Sequence, residues 1–237
     1  MEKRDLFYDG TAKRIYTTDR ENVLFVSYKD VATDYFGLKR SSIPGKGAIC
    51  NQVSNHLMEL LEEKGIPTHF ISQVNETDSL VRKVRIIPLC VIVRNISAGA
   101  FAKRYGVEEG IEFDEPTIEF YLKNDMLGDP LINTSHAVAL KITSRRRMDE
   151  MKEMAFAINT ILKAYFSAFH IHLVDFRMEF GLTEDDTLVL ADEISPDTCR
   201  LWDSDTHFRL DKDRFRLDME YVDAGYREII RRLLGEK

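Results

Sequence analysis

The residues most suited to chemistry are two acids and an arginine that alternate with large apolar side chains in IHLVDFRMEFG, residues 171–181. Successive side chains of a β-strand point to opposite faces. Asp175, Arg177 and Glu179 therefore share one face, and Phe176 lies on the other. A half-buried strand at the protein surface shows the same alternation, so the pattern alone fits either a polar site or a solvated face.

A second strand is predicted in LVLADEISPD, residues 188–197, and should form a hairpin with the first across the polar turn GLTEDDT. Asp192 is predicted within this second strand. One register places its carboxylate beside that of Glu179, and such like charges repel unless a cation neutralises them. Mg²⁺ held also by phosphates would do so. The alternative is that these acids form salt bridges to Arg177 and Arg200 on a solvated face.

Three short stretches combine glycine and small residues with a cation, a pattern that suits phosphate binding. In YDGTAKRIY, residues 8–16, backbone N–H groups can approach phosphate oxygens and Lys13 adds a charge. It is not a Walker loop, because GxxxxGK[ST] is absent. In VRNISAGAFAKRYG, residues 93–106, Arg94 ends a strand and SAGA begins a short helix. SIPGKG, residues 42–47, is similar, and each stretch is also explained by an ordinary turn or cap.

The composition indicates a globular protein and disfavours several other classes. Of the 237 residues, 44% are apolar and 31% are charged, and the net charge of −7 disfavours a general nucleic-acid surface. No run approaches the roughly 18 to 20 apolar residues of a membrane helix, and the polar N-terminus predicts no signal peptide. Three separated cysteines indicate reduced thiols in a cytoplasm, with neither disulfides nor a zinc site.

The histidines and cysteines form no defensible catalytic pair. His170 and His172 flank the first hairpin strand and are interpreted as surface or packing residues rather than metal ligands. Cys199 is predicted in a loop with Asp197 and Arg200, without a candidate base, and is therefore interpreted as an inert thiol.

Hydrophobic periodicity predicts the helices that position these residues. One helix is expected at about Ile49 to Glu63. The longest should begin near Thr143 or Ser144, either of which can cap it, and a stripe of apolar residues should face the core. A last helix is expected at about Val222 to Leu234.

Strand signals are concentrated in the first part of the chain. They lie at residues 14–18, 22–28, 68–74 and 80–95. The predicted fold class is mixed α/β (α+β), with a β-rich N-terminal lobe at residues 1–92 that carries the phosphate loop. An α+β lobe at residues 93–237 carries the hairpin.

Seven stretches then point to one protein family by their order and spacing. They are YDGTAKRIY, IPGKG, IIPLCVIVRNISAGAFAKRYGVEEG, IEFYLKNDMLGDPLIN, LVDFRMEFG, LADEISPDTCRLWD and LDKDRFR. Along nearly its whole length the chain resembles SAICAR synthetase (phosphoribosylaminoimidazole-succinocarboxamide synthase). The resemblance implies an ATP-dependent ligase that joins 5-aminoimidazole-4-carboxyribonucleotide (CAIR) to L-aspartate in purine biosynthesis, through an acyl phosphate. It also implies a two-lobed fold similar to the nucleotide-binding lobes of ATP-grasp enzymes and kinases, with ATP in the cleft.

The resemblance further implies roles for single residues. Asp175, Arg177 and Lys123 are implied to be catalytic. The implied ATP-binding residues, of which the last two also hold Mg²⁺, are Gly10, Thr11, Ala12, Lys13, Arg82, Glu179 and Asp192. The implied substrate-binding residues are Arg94, Ser97, Gly99, Ala100, Asp129 and Arg200. ATP and Mg²⁺ are the expected cofactors and small molecules the expected partners, without nucleic acid or membrane, and a homo-oligomer is left open.

Four positions depart from the family pattern. Thr11 stands where the family has a lysine, and Ala100 stands where it has a serine that resembles a ligand of the substrate phosphate. Arg177 and Arg82 replace lysines, which keeps the charge but changes reach and hydrogen-bond geometry. A paralogue that amidates a related heterocyclic carboxylate or uses another amine, or a non-catalytic nucleotide-binding relative, therefore remains an alternative.

Overall fold

The computed structural model describes residues 1–33 and 39–235, which form a mixed α/β fold with six α-helices and three sheets of antiparallel strand pairs. The predicted fold class is confirmed. The first elements in the chain are β1 (Lys3–Asp9), β2 (Lys13–Thr18), β3 (Val23–Tyr28), β4 (Val31–Thr33), β5 (Arg40–Ser42), α1 (Lys46–Glu63), β6 (Phe70–Gln73), β7 (Asp78–Arg82) and β8 (Arg85–Ile96). The elements that follow are α2 (Gly99–Tyr105), β9 (Glu112–Leu122), α3 (Thr134–Ala139), α4 (Arg145–Ser167), β10 (Ile171–Leu182), β11 (Leu188–Ala191), β12 (Cys199–Asp203), α5 (Asp213–Arg216) and α6 (Val222–Leu234).

The N-terminal sheet has five strands in the order β1-β2-β3-β7-β6. Strands β1 and β2 form a hairpin, so the predicted phosphate loop is the tip that joins them. Helix α1 packs on this sheet through Val53, Leu57 and Leu61, which are fully buried. It begins at Lys46 rather than Ile49, directly after Gly45 has turned the chain with a φ of 82°.

The second sheet has the order β11-β10-β8-β9, and β12 also pairs with β10. Helix α4 covers one face of this sheet, and its Met151 and Ile158 lie in the same core as Phe176 and Phe180 of β10. Burying each large apolar side chain stabilises the fold by about 1.5 to 3 kcal/mol. Ser144 caps α4 by accepting a hydrogen bond at 3.2 Å from a backbone N–H of the first turn. The opposite face of the sheet is therefore left for polar side chains.

The predictions for helices hold better than those for strands. Helices α4 and α6 and the short α2 lie where they were expected. The single strand signal at 80–95 is in fact two strands in different sheets, β7 and β8, and the strands β1, β9 and β12 were not predicted. Cys199 is the buried first residue of β12, so its predicted place in a loop is wrong. The lobe boundary between residues 92 and 93 falls inside β8 and stays a prediction.

Within the described ranges no helix is long and apolar enough to cross a membrane.

Candidate active site

Rows of polar side chains cross neighbouring strands on the face of the second sheet that α4 leaves uncovered. The register of β8, β10 and β12 places Asp175 opposite both Arg94 and Arg200. Arg177 and Glu179 follow at two-residue steps along β10, so their side chains point to the same face. The alternating polar side chains of β10 therefore form rows with polar side chains of the neighbouring strands β8 and β12.

Asp175 lies between two guanidinium groups in a buried network. Arg94 donates to it from Nη1 at 2.5 Å, and Arg200 donates from its own Nη1 at 2.7 Å. Each arginine also binds a second carboxylate, Glu119 at 2.9 Å for Arg94 and Asp213 at 2.6 Å for Arg200. Buried charges are tolerated only when they are paired, so this network holds both arginines in fixed positions. Arg94 is only 2% exposed, and its direct contact with substrate stays a prediction.

Gly99 brings the backbone onto the Arg200 guanidinium. Its φ is +54°, and a Cβ placed there would lie 2.5 Å from Nη2 of Arg200. A glycine is required because any side chain would collide with the guanidinium and strain the backbone. Ala100, the next residue, is exposed. The predicted substrate-binding residues Gly99, Ala100 and Arg200 are therefore brought together.

Ser97 is fully buried and fastens a loop. Its hydroxyl donates to the carbonyl of Glu108 at 2.6 Å and accepts from the N–H of Ile111 at 2.9 Å. The Ser97 backbone adds two more hydrogen bonds, to Ile111 and from Gly110, each of 2.8 Å. Its predicted role in substrate binding stays a prediction, and the contacts shown here hold the 106–111 loop.

Glu179 is a buried carboxylate held by two cations. Lys123 forms an ion pair with its Oε2, and Arg177 donates to its Oε1 at 2.8 Å. The Lys123 side chain is 33% exposed, whereas that of Glu179 is 8% exposed. The pair therefore joins a buried carboxylate to a lysine that is open to solvent. The salt bridge between Glu179 and Arg177 is present, but Glu179 is buried rather than on a solvated face, and Arg200 pairs with Asp175 instead. The role of Glu179 as a metal ligand stays a prediction.

Asp192 follows β11 rather than lying inside it, which corrects the prediction. The last residue of β11, Ala191, is the one opposite Glu179. Asp192 has a φ of 62° and turns the chain out of the sheet. Its carboxylate pairs with the ammonium of Lys13, which also lies 2.9 Å from Glu193.

The charges of this ion pair stabilise each other. Burial lowers the pKa of Lys13, but the carboxylates of Asp192 and Glu193 outweigh burial and raise this pKa well above its ordinary value. Burial likewise raises the pKa of Asp192, and Lys13 together with Arg177 and Lys123 brings it below its ordinary value. Both partners therefore stay charged at neutral pH.

The tip of the β1–β2 hairpin is held by Lys29. The backbone N–H of Lys29 donates to the carbonyl of Ala12 at 2.8 Å, and its ammonium donates to the carbonyl of Gly10 at 2.6 Å. Thr11 is exposed at this tip. Sequence reasoning missed Lys29 because its stretch SYKD carries no motif and Lys29 lies 16 residues after Lys13.

Two of the predicted site residues lie outside the rows of polar side chains on β8, β10 and β12. Arg82 ends β7 in the other sheet, and its Nη1 donates to the carbonyl of Thr68 at 3.3 Å. Asp129 closes the turn after β9 by accepting the N–H of Asn124 at 2.7 Å. Their predicted ligand contacts stay predictions.

Three further acids of the site were missed by sequence reasoning. Glu119, Asp213 and Glu193 each pair with a cation of the predicted set. The stretches that carry them, IEFYLKN, LDKDRFR and LADEISPD, were recognised as motifs. Their roles became visible only with the strand register.

The comparisons with known proteins identify the family of this chain. The family model described as SAICAR synthetase matches residues 6–233 of the chain. This chain belongs to the SAICAR synthetase family. It is 51% identical over 233 residues to the phosphoribosylaminoimidazole-succinocarboxamide synthase of Coprothermobacter proteolyticus, with 98% of this chain and 99% of the relative covered.

Two solved structures share the fold over nearly the whole chain. The crystal structure of the synthase from Ehrlichia chaffeensis has a TM-score of 0.96 at 42% identity, covering 98% of this chain and 100% of that one. A SAICAR synthetase (Type-2) in complex with ADP has a TM-score of 0.94 at 45% identity, with 97% and 98% covered. The predicted membership of the SAICAR synthetase family, a family of ATP-dependent ligases, is thereby confirmed.

Proposed function

We propose that this chain joins CAIR to L-aspartate at the expense of ATP and releases SAICAR, ADP and phosphate. The observation that carries this proposal is the presence of two separate charged regions in the site. One region combines Lys13 and Lys123 with the carboxylates of Asp192 and Glu179. The other region centres on Arg200, which lies beneath a close turn of the backbone. A reaction between a nucleotide and an anionic second substrate needs two such regions side by side.

The lysine–carboxylate region suits the phosphates of ATP and a divalent cation. Glu179 and Asp192 provide the oxygen ligands that Mg²⁺ prefers, and Mg²⁺ is commonly held by one or two carboxylates together with phosphates. When bound, Mg²⁺ would neutralise charge on the phosphates. Lys13 and Lys123 would then contact the phosphate oxygens directly.

The arginine region suits the phosphate of the ribonucleotide. The two side-chain oxygens of Asp175 orient the Arg200 guanidinium, which lies below Gly99. Charge-assisted hydrogen bonds from an arginine to phosphate are among the strongest in proteins. Asp175 acts here as a positioning residue, because both of the guanidinium groups that flank it are buried with it.

The chemistry requires positioning and charge neutralisation more than a side-chain nucleophile. A carboxylate oxygen of CAIR would form a bond to the γ-phosphorus as the bond to ADP breaks, giving an acyl phosphate. The amine of aspartate would then attack the acyl carbon, phosphate would leave, and the amine proton would pass to solvent. Such steps depend on fixed geometry and on cations beside the transferring group.

The most direct experiment measures ADP release with ATP, CAIR and aspartate, each omitted in turn. ADP should form at a substantial rate only when all three are present. Equal ADP release without CAIR, or none with the complete mixture, would contradict the proposed function.

A second candidate function is a ligase of the same fold with another carboxylate substrate. Ala100 favours it, because the exposed position next to Gly99 lacks the hydroxyl of the family pattern. If the substrate is CAIR, Ala100→Ser should leave its KM unchanged or lower it, since the pocket already fits the phosphate. A higher KM for CAIR in this variant would favour the second candidate.

All three cysteines are free and buried. Reduced thiols are typical of a reducing compartment. We therefore infer a cytoplasmic location for this reaction.

A further inference from the structure

An internal carboxylate lies at the edge of the arginine region. Glu109 accepts a hydrogen bond from the backbone N–H of Gly99 at 2.7 Å through Oε1. Its Oε2 accepts a second one from Nη2 of Arg209 at 2.8 Å. Gly99 is also the residue that lies on the Arg200 guanidinium. One carboxylate of the chain thus binds two donors beside the proposed phosphate site.

Arg209 is built into the same cluster of charges. Its guanidinium lies 5.5 Å from the centre of the Trp202 ring, and its Nη1 lies 3.6 Å from the Asp213 carboxylate that also binds Arg200. Its side chain is 20% exposed, so part of it is open to solvent. Stacking on an aromatic ring fixes a guanidinium plane without using its N–H donors. The Arg209 guanidinium is therefore oriented with N–H donors that suit an oxyanion.

The Glu109 side chain can move away from its two hydrogen-bond donors although the backbone of its loop is fixed. Hydrogen bonds from Ser97 hold the backbone of the 106–111 loop at three points. The Glu109 side chain itself is 39% exposed, and an ion pair at such a position contributes little. A rotation of the side chain alone would release Arg209 and the Gly99 N–H.

The charges around Glu109 favour its replacement by another anion. The positive charges of Arg200 and Arg209 are matched by the negative charges of Asp213 and Glu109, and Asp175 and Arg216 add one charge of each sign as further partners of this cluster. An entering phosphate monoester brings about 1.5 to 2 negative charges at pH 7 and three acceptor oxygens. It would repel the Glu109 carboxylate and satisfy the same two donors.

We propose that Glu109 competes with the phosphate of the ribonucleotide for Arg209 and the Gly99 N–H, and that Arg209 is a further phosphate-binding residue. This proposal rests on the proposed function for the identity of the ribonucleotide. The competition itself concerns only a phosphate monoester. Binding would thus exchange one internal carboxylate for one external phosphate.

The test measures the binding of ribose 5-phosphate by calorimetry in the presence of saturating Mg·ADP. Glu109→Gln should tighten binding by roughly 2- to 5-fold, because a weak competing ion pair is removed. Arg209→Met should weaken it by at least about 10-fold, since a charge-assisted hydrogen bond is lost. The matched control is Glu108→Gln, which makes the same change of charge one residue away in the same loop and should leave binding unchanged.

Several outcomes would overturn the proposal. They are binding by Glu109→Gln that is weaker than or equal to that of Glu108→Gln, unchanged binding by Arg209→Met, or no detectable binding in any variant. A purely structural role of Glu109 predicts the first of these. If the expected pattern appears but CAIR is not turned over, the competition stands and the proposed function fails.

Discussion

Replacing Gly99 by alanine tests whether the backbone at this point sets the position of Arg200. An alanine Cβ would lie 2.5 Å from Nη2 and 2.8 Å from Cζ of Arg200, so the guanidinium has to move. The φ of +54° adds a strain of about 1 to 2 kcal/mol for any L-residue. Two separate effects are therefore expected, one on stability and one on substrate binding.

The size of the binding effect follows from the contacts of Arg200. A displaced guanidinium loses a charge-assisted hydrogen bond to the substrate anion, worth about 1.5 to 3 kcal/mol. This corresponds to an increase of roughly 10- to 100-fold in the KM for CAIR. The KM for ATP should change by less than about twofold, because Lys13 and Asp192 lie in the other charged region, whereas Arg200 pairs with Asp175 and Asp213.

The matched control is Gly65→Ala. Gly65 has a φ of +84°, and a Cβ there would have nothing within 4 Å, so it shares the strain without the collision. Steady-state kinetics for CAIR and ATP, with thermal unfolding, would be measured for both variants. Equal losses of stability with an unchanged KM for CAIR in Gly99→Ala would refute the reasoning.

Three further perturbations address other parts of the molecule. Glu179→Gln or Asp192→Asn should lower turnover with Mg·ATP by at least about 100-fold, or about 2.7 kcal/mol of transition-state stabilisation; near-normal turnover at saturating Mg²⁺ would exclude the metal assignment. Lys46→Met should lower the free energy of unfolding in urea by about 3 to 5 kcal/mol, because this 1% exposed lysine lies 2.5 Å from Asp197; a loss below about 1 kcal/mol would show that the pair is not needed. Burial lowers the pKa of His69 from 6.5 to about 4, so the unfolded chain is protonated first and the free energy of unfolding should fall from pH 6.5 to 4. His69→Gln should remove this part of the pH dependence, and an unchanged slope would contradict it.

The sequence predicted the parts of the site that local pattern controls. The alternation around Asp175 and Glu179 depends only on the two-residue period of a strand, and β10 follows it. The helix that begins after Ser144 and the short helix at SAGA follow from caps and periodicity in the same way. Sequence patterns predict structure reliably where a single helix or strand contains all the residues that form the pattern.

The rest depends on partners that are distant in the chain. The pairing of Arg94 with Asp175 requires β8 and β10 to be neighbours, and no local pattern states this. Asp192 was predicted inside the second strand, but β11 ends at Ala191, and no local pattern reveals the left-handed φ of Asp192 or its ion pair with Lys13. Strand β1 was missed since its residues are all exposed and show no buried face.

The ion pair between Lys13 and Asp192 also bears on how the protein is made. The two residues are separated by 179 positions in the chain. Ribosomes add about 5 to 20 residues each second, so Lys13 is synthesised roughly 10 to 35 s before its partner. During that interval the hairpins of the first sheet can form. Lys13, however, cannot yet pair with Asp192, which has not been synthesised.

Completion of the site is consequently one of the last events of synthesis. A nascent chain that has passed β10 but not β11 already contains Lys13, Lys123 and Glu179, yet it lacks the acid that closes the nucleotide end. In a chain released at this length, Lys123 would still have Glu179 as a partner, whereas Lys13 would lack both Asp192 and Glu193.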